Sequence, residues 1–473
     1  MSQAPTLPTP DLAQGWAERS RQAVWHPCTQ MKVHEHLPPR PIVQAQGPWL
    51  TDDQGHRILD AVSSWWVNLF GHGFAPIGEA IADQFNRIDH IMLAGLTHAP
   101  VVELSERLGR LTGLGHAFYA SDGASATEIA LKMSAHSWRN RGRAGKHRFI
   151  GLEGGYHGET AGALSVTDIP LFREAYAPLL RLSATLPSPD PRRAAPGVSP
   201  DQHLQHCIDA LAAYLAEHAH ETAAIILEPL VQGAAGMAMH DPAYLVAVRR
   251  LCDQHEVHWI ADEIAVGFGR TGTLFAHQQA IGTDGQPVRP DFICLSKGLT
   301  GGVMPLSAVL TTDDVYAAFW DDRTAHGFLH SHSYTGNPLA CRAALAVLDA
   351  FEAHDEQGRD VLARNCEAAA HFNALTEPLR RHPRVKASRH LGMIWAWDID
   401  TTEPTFAARY HRAALDAGLL LRPIGSTLYA MPPYVLTPDD QRHLADGLLR
   451  VLDQVLAEVD ALPPAGERAH PMA

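Results

Sequence analysis

The sequence predicts an α/β protein built on a large, mostly parallel sheet, with a smaller α+β domain. Between residues 100 and 300, short and nearly continuous apolar segments alternate with segments that have helical spacing. Apolar strands separated by helices are typical of a parallel sheet that is covered on both faces. The chain has 473 residues, more than one compact core usually holds, so at least two domains are expected.

The individual elements follow in chain order. Residues 41–60 are predicted to form two short strands joined by a turn at 52–55. The proline-rich stretch 185–203 is predicted to be a surface loop. The remaining predicted strands lie at 116–120, 148–152, 222–229, 257–262 and 292–295, with strand-rich regions at 385–399 and 419–431, and the predicted helices at 101–111, 124–139, 244–255 and 338–352. We place the domains at 1–70, which joins the small domain, 71–350 (the large domain) and 351–473 (the C-terminal small domain).

Composition and charge exclude several classes of partner. The formal net charge is −14 and no long basic run occurs, which argues against a nucleic-acid or anionic-membrane partner. No uncharged apolar stretch is long enough to cross a bilayer, which takes about 18 or more residues. Residues 1–8 lack the basic and apolar parts of a signal peptide, so a cytoplasmic location is expected.

The cysteines and histidines do not indicate a disulfide framework or a metal site. The six cysteines are scattered and form no C-x-x-C pair, as expected of reduced thiols. The 29 histidines include close pairs, but none has the i, i+4 spacing that places two ligands on one helical face. We therefore expect no metal.

Two residues at predicted strand ends indicate the chemistry. Lys297 follows the apolar strand at 292–295 and precedes several glycines, and Asp262 ends the strand at 257–262. The carboxyl ends of parallel strands are where ligands bind in α/β sheets. A buried lysine can condense with an aldehyde, and an acid can keep a ring nitrogen protonated. Together they favour pyridoxal 5′-phosphate (PLP) as cofactor.

Three further segments fit the same kind of site. The segment 121–128 joins a strand to a helix with small residues, which suits a phosphate at the helix N-terminus. Tyr156 follows two glycines and offers a ring for stacking, and Arg422 lies between Leu421 and Pro423 as a candidate carboxylate clamp. Taken singly, these features also fit an N-cap, a tyrosine packed at a loop edge and a surface ion pair.

Eight short segments, found in a fixed order along the chain, carry a family resemblance. They are Trp65-Trp66, Ser121-Asp122-Gly123, Tyr156-His157-Gly158, Glu228-Pro229, Asp262-Glu263, 267–272, Ser296-Lys297 and 335–338. Together they resemble the class-III, fold-type-I PLP-dependent aminotransferases over roughly residues 24–450. Segments 25–27, 63–66, 97–100, 422–423 and 429–434 further resemble the branch that transfers an amino group from S-adenosylmethionine to 8-amino-7-oxononanoate in biotin biosynthesis.

The resemblance implies roles for individual residues. Lys297 would hold PLP and move a proton, Asp262 would pair with the ring nitrogen, and Tyr156 would complete the catalytic set. The cofactor's phosphate would meet the backbone amides of Gly123 and Ala124, with His332 and Ser333 as further cofactor contacts and Ser333 coming from the second subunit of a homodimer. The substrate-binding residues would be Trp65, Tyr156, Lys297, Ser331, Arg422 and Cys28, with Arg422 on the carboxylate of the oxononanoate.

The chain departs from the family pattern at three places. Cys28 stands where a tyrosine is common, Ala124 where a serine is common, and Ser331-His332-Ser333 where Gly-Pro-Thr is common. The first and third changes concern the donor side of the site, so lysine is an alternative to S-adenosylmethionine as amino donor.

Three other functions remain open from the residues alone. One is an ω-aminotransferase for ornithine, 4-aminobutyrate or a diamine, although Trp65-Trp66 favours a long aliphatic substrate. The second is an aminomutase of the same fold, which would need no external donor. The third is a non-catalytic regulator of the same fold, which usually carries a basic DNA-binding domain.

Overall fold

A computed structural model describes residues 15–462 of the chain. The strands, in chain order, are β1 Ile42–Gln46, β2 Trp49–Asp52, β3 Arg57–Asp60, β4 His116–Ala120, β5 Arg148–Leu152, β6 Ala184–Leu186, β7 Thr222–Leu227, β8 Val231–Gln232, β9 Ala238–Met239, β10 His258–Asp262, β11 Phe292–Leu295, β12 Ser307–Thr311, β13 Val385–Leu391, β14 Ile394–Ile399, β15 Leu419–Leu420 and β16 Thr427–Ala430. The longer helices are Trp16–Ala23, Ala75–Phe85, Ala99–Thr112, Gly123–Asn140, Pro200–His218, Ala243–His255, Pro338–Glu352, Val361–Leu375, Phe406–Asp416 and Pro438–Asp460. Short helices span Ala161–Val166, Pro170–Arg173, Asp313–Ala317 and Glu377–Arg380.

A seven-stranded sheet forms the centre of the large domain. Its order is β4-β12-β11-β10-β7-β5-β6, and β12 alone runs in the direction opposite to that of the other six strands. Every residue of β7, β10, β11 and β12 is buried, because helices cover both faces and these strands are almost entirely apolar. The predicted α/β fold with a mostly parallel sheet is confirmed.

The parallel arrangement brings the chemically informative strand ends to one edge. β10 pairs in parallel with β7 and β11, with Asp262 opposite Cys294 at the end of the register. Lys297 therefore leaves the sheet beside Asp262, and the loops after β4 and β5 reach the same edge.

The N-terminal strands belong to a second layer shared with the C-terminal region. β1, β2 and β3 form an antiparallel meander, and β3 continues in parallel with β15. A separate antiparallel sheet contains β13, β14 and β16. The exact limits 1–70, 71–350 and 351–473 remain a prediction.

One sequence prediction about local structure is wrong and another holds only in part. The stretch 185–203 is a loop over most of its length, but its first two residues belong to β6, which forms the outer strand of the large sheet and pairs with β5, and Pro200 begins the helix Pro200–His218. Proline is tolerated next to an edge strand, so the prolines that follow Leu186 are compatible with a strand that ends there. The region 41–60 holds three strands instead of two, since the chain also turns at Gly47.

Within residues 15–462, no helix is long and apolar enough to cross a membrane. In the same part of the chain, no group of three or more His, Cys, Asp or Glu side chains is arranged to hold a metal ion.

Candidate active site

A cavity of about 880 Å³ opens at the carboxyl edge of the large sheet. Five residues predicted from the sequence line it together: Cys28, Trp65, Tyr156, Lys297 and Arg422. The cavity thus joins the large domain to the N-terminal segment and to the C-terminal small domain. Ser331, His332 and Ser333 do not line this cavity within one chain; they lie on the loop that precedes the helix Pro338–Glu352.

Lys297 forms the floor of the cavity. Its backbone has a φ of 46°, a left-handed conformation in which a residue with a Cβ is strained. Its Nζ lies 4.7 Å from the centre of the Trp66 ring. Burial lowers the pKa of the Lys297 ammonium to about 8, although the carboxylates of Asp262 and Glu228 act in the opposite direction. At pH 7 about one-tenth of the amine is then neutral, against fewer than about one in a thousand for an ordinary lysine, and the neutral form is the one that a nucleophilic lysine requires.

Asp262 is held in one orientation beneath the cavity. Its side chain is buried, Oδ1 accepts a hydrogen bond from the Ile264 amide at 3.1 Å, and Oδ2 lies 2.7 Å from Nδ1 of His157. His157 is itself buried, and its Nε2 has no partner among residues 15–462. A buried carboxylate is stabilised by a cationic partner, and a protonated ring nitrogen bound in the cavity would be such a partner.

Glu228 is a second buried acid near Lys297. Its two oxygens accept hydrogen bonds from the backbone amides of Tyr156 at 3.1 Å and Gly233 at 2.9 Å. Burial raises the pKa of the Glu228 carboxyl to about 7, and the nearby charge of Asp262 adds to this shift. Because its acceptors are used by backbone amides, Glu228 fixes the loop that carries Tyr156.

The N-terminus of the helix Gly123–Asn140 faces the same edge of the sheet. Asp122 caps it by accepting from the Ser125 amide at 2.9 Å, and the first amides of a helix have no acceptor within the helix. A Cβ at Gly158 would lie 2.5 Å from that of Ala124, so the loop after Tyr156 packs directly on the first turn. The close approach leaves a cradle of backbone N–H groups around Gly123 and Ala124.

The inner wall is a left-handed turn, Ser63–Trp66. All four residues have positive φ values, 51°, 46°, 76° and 70° in order. Left-handed backbone costs about 1–2 kcal/mol per residue with a Cβ, so four in succession store roughly 4–8 kcal/mol of strain. A backbone with this much strain persists only where the surrounding contacts stabilise it enough to outweigh the strain. Such strained segments are concentrated at functional sites.

The outer wall carries charge at the mouth of the cavity. Arg422 is exposed, its guanidinium carbon lies 4.9 Å from the Trp65 ring, and it donates to the backbone oxygen of Cys28. Arg422 forms no ion pair with an acid in the described part of the chain. The N–H groups of its guanidinium are therefore free to bind a carboxylate.

Glu159 is a site residue that the sequence analysis missed. It lines the cavity, accepts from the Tyr156 hydroxyl at 3.0 Å, and lies 3.9 Å from the Cys28 sulfur. Burial raises the pKa of both the Tyr156 phenol and the Cys28 thiol, with the Glu159 carboxylate adding to each shift. Its position three residues after Tyr156 is the only signal of it in the sequence.

Comparison with known proteins decides the family. The model of the aminotransferase class-III family matches residues 30–452. The chain belongs to the class-III aminotransferases. It is 41% identical to the adenosylmethionine-8-amino-7-oxononanoate aminotransferase of Helicobacter pylori, over 91% of this chain and 96% of that protein.

Solved structures agree with this assignment. The adenosylmethionine-8-amino-7-oxononanoate aminotransferase of Methanocaldococcus jannaschii has a TM-score of 0.84 and 33% identity, covering 93% of this chain and 98% of that one. A PLP-bound amine transaminase from an uncultivated Pseudomonas species has a TM-score of 0.84 and 31% identity, covering 92% and 99%. This class-III aminotransferase is therefore a PLP-dependent transaminase.

The residues present fit the cofactor that the family implies. Lys297 is an amine of lowered pKa, Asp262 is a buried carboxylate beside it in the sheet, and the Gly123–Ala124 turn is a cradle of amides that a Cβ at Gly158 would fill. An aldehyde, a basic ring nitrogen and a phosphate are the three groups that such a set can bind.

Proposed function

We propose that this aminotransferase transfers an amino group from S-adenosylmethionine to 8-amino-7-oxononanoate, giving 7,8-diaminononanoate, in the biotin biosynthesis of the cytoplasm. The observation that carries the proposal is one cavity that contains Lys297 at its floor and Trp65 with Arg422 at its mouth. The names of the relatives from H. pylori and M. jannaschii support the same pair of substrates.

The floor supplies the amine chemistry. PLP, when bound, withdraws electrons from the carbon next to the amino group that is transferred. Lys297 would anchor the cofactor through its Nζ, and the same amine would hold and move the proton that the transfer requires. Asp262 would pair with the positive N–H of the ring, and His157, whose Nδ1 lies 2.7 Å from Oδ2 of Asp262, keeps this carboxylate in place.

The phosphate belongs at the N-terminus of the helix Gly123–Asn140. There the Gly123 and Ala124 amides would donate hydrogen bonds to it, and the helix dipole would favour its negative charge. Ala124 offers the same backbone donor that a serine would.

The mouth selects a substrate with a terminal carboxylate and an apolar chain. Arg422 binds the carboxylate of the oxononanoate, and Trp65, which is 43% exposed, covers its aliphatic chain. Tyr156 closes the opposite side, supported by an aromatic contact with Phe172 at 5.5 Å.

The carboxylate of Glu159 at the cavity favours an amino donor that carries a positive charge. S-adenosylmethionine carries a sulfonium and lysine carries an ε-ammonium, and both cations suit a negative side chain at the mouth. Cys28 removes an aromatic face that would add about 1 kcal/mol of stacking, which is not enough to exclude the adenine group. Lysine therefore remains the alternative donor.

A homodimer would complete the site. Side chains of Phe85, Met92, Leu329 and Tyr334 are between 59% and 79% exposed, and the His90 and Tyr334 rings meet at 5.0 Å, which joins two of these segments. An exposed apolar surface of this kind is typical of a protein interface. Ser333 lies next to Tyr334 on the loop, so a two-fold partner could bring Ser331, His332 and Ser333 to the cofactor of the other subunit.

Product analysis tests the proposal directly. The purified enzyme is incubated with 8-amino-7-oxononanoate and S-adenosylmethionine, and 7,8-diaminononanoate is measured by mass spectrometry. We expect the diamine only when both substrates are present, and none from Lys297→Ala. Turnover of the oxononanoate without any donor would indicate an aminomutase and overturn the proposal.

A further inference from the structure

The left-handed turn Ser63–Trp66 places two tryptophans against two basic side chains. Trp66 lies 4.7 Å from Nζ of Lys297, and Trp65 lies 4.9 Å from the guanidinium carbon of Arg422. In a right-handed turn these side chains would leave the backbone in other directions. The handedness of the turn therefore decides whether both rings reach the cavity.

Asp60 supplies the contacts at the beginning of the turn. Its carboxylate ends β3 and is completely buried. Oδ1 accepts from the Ser64 amide at 2.9 Å, and Oδ2 accepts from the Ser64 hydroxyl at 2.7 Å. Nε2 of His72 lies 3.1 Å from the same Oδ2, and the backbone of His72 is bonded in both directions to Gly47. The carboxylate thus ties the strained residues to a part of the fold that lies outside the cavity.

The far side of the turn has weaker anchors. The Ser63 hydroxyl donates to the backbone oxygen of Met431 at 2.7 Å, and the Trp66 indole donates to the Tyr429 hydroxyl at 3.2 Å. Both are single neutral hydrogen bonds, whereas those to an ionised carboxylate are about twice as strong.

We propose that Asp60 is a positioning residue for transamination. Its buried carboxylate selects the left-handed form of the Ser63–Trp66 turn, and it thereby sets Trp66 against Lys297 and Trp65 against Arg422. Asp60 lines no part of the cavity and acts through the tryptophans. The effect of Asp60 on turnover rests on the proposed function, whereas its effect on the backbone of the turn does not.

Hydrogen exchange of the holoenzyme without substrates tests the backbone part. The amides of Trp66 and Val67 donate to the Val62 and Ser63 oxygens within the turn. In Asp60→Ala, we expect these two amides to exchange about tenfold to a hundredfold faster, because a charged acceptor of the turn is lost.

Asp52→Ala is the matched control. Asp52 is 3% exposed, ends the neighbouring strand β2, and its Oδ1 accepts from the backbone amides of Gln54 and His56. Its turn lies outside the cavity, so we expect parental exchange at Trp66 and Val67. Equal exchange at these two amides in Asp60→Ala and Asp52→Ala would overturn the proposal.

A second substitution separates positioning from general stability. Glycine adopts positive φ without strain, so Ser64→Gly in the Asp60→Ala background should restore both slow exchange and most of the turnover. Ser64→Ala in the same background loses the same hydroxyl but keeps the Cβ, and should restore neither. A rescue by alanine as large as that by glycine would contradict the role of handedness.

Two further outcomes of these experiments can be distinguished from each other. If Asp60→Ala does not fold, Asp60→Asn, which keeps one acceptor oxygen, should show intermediate exchange at Trp66 and Val67; parental exchange there would count against the proposal. If the exchange and the rescue behave as expected while the oxononanoate is not a substrate, the proposed function fails and the role of Asp60 in the turn stands.

Discussion

The floor of the cavity and its mouth are built from different parts of the chain. The floor, with Lys297 and Asp262, comes from buried strand ends of the large sheet. The mouth, with Trp65 and Arg422, comes from the N-terminal segment and the C-terminal domain, and both side chains are exposed. Burial changes the chemistry of the floor by lowering the pKa of Lys297, whereas the mouth acts by shape and charge. The floor therefore determines the type of reaction, and the mouth determines which substrate is chosen.

Lys297→Ala should have the largest effect, because it removes both the covalent anchor and the proton carrier of the floor. We expect loss of the visible absorbance band that arises from the bond between the cofactor and Lys297. We also expect loss of nearly all turnover. Absorbance spectra and product analysis check this, and a variant with parental absorbance and activity would refute the floor assignment.

Asp262→Asn keeps the shape of the floor but removes its charge. We expect PLP still to bind while kcat falls by about 10²–10⁴, since an amide cannot keep the ring nitrogen protonated. Steady-state kinetics at saturating PLP measure the change. A loss of only a few-fold would mean that another group performs this role.

Arg422→Ala should affect the mouth and spare the floor. We expect KM for 8-amino-7-oxononanoate to rise by roughly ten- to a hundredfold with an unchanged cofactor spectrum, as for the loss of a charged hydrogen bond. The rise in KM for the donor should be smaller. An equal rise for both substrates would show that Arg422 does not distinguish them.

The pH dependence of cofactor loading should report the floor alone. Burial lowers the pKa of Lys297 to about 8, against about 10.4 in an unfolded chain. The rate of PLP binding to the apoenzyme should therefore increase about tenfold per pH unit below 8 and level off above it. A rate that keeps increasing up to pH 10 in stopped-flow absorbance would contradict the lowered pKa.

The sign of the accompanying stability change follows from the same shift. The native amine releases its proton at a lower pH than the unfolded one, so the apoenzyme binds fewer protons than the unfolded chain between about pH 8 and 10.4. Its stability should rise with pH across that window, and Lys297→Ala should lose this part of the rise.

The residues of the floor and of the mouth could be named from the sequence, but the backbone that shapes the mouth could not be predicted. Lys297 and Asp262 each follow an apolar strand, and parallel pairing brings such ends together whatever the loops do. The left-handed turn at Ser63–Trp66 has no glycine, so neither propensity nor pattern predicts its positive φ values. It depends on Asp60 and on contacts with Tyr429 and Met431, which lie more than 360 residues away along the chain.

The roles of Glu159 and Glu228 also could not be predicted from the sequence. Glu159 is an exposed acid near a tyrosine, and Glu228 is an acid at a strand end like Asp262. Only the three-dimensional arrangement shows that the first faces the substrate space and that the second binds backbone amides.

The amino donor is where the mouth departs from the family pattern, and a half-reaction tests it most directly. The PLP form of the enzyme is mixed separately with S-adenosylmethionine and with lysine, in the absence of 8-amino-7-oxononanoate, and the visible absorbance of the bound cofactor is followed. We predict that S-adenosylmethionine bleaches this absorbance, that later addition of the oxononanoate restores it, and that lysine has no effect. Bleaching by lysine and not by S-adenosylmethionine would contradict the proposed donor.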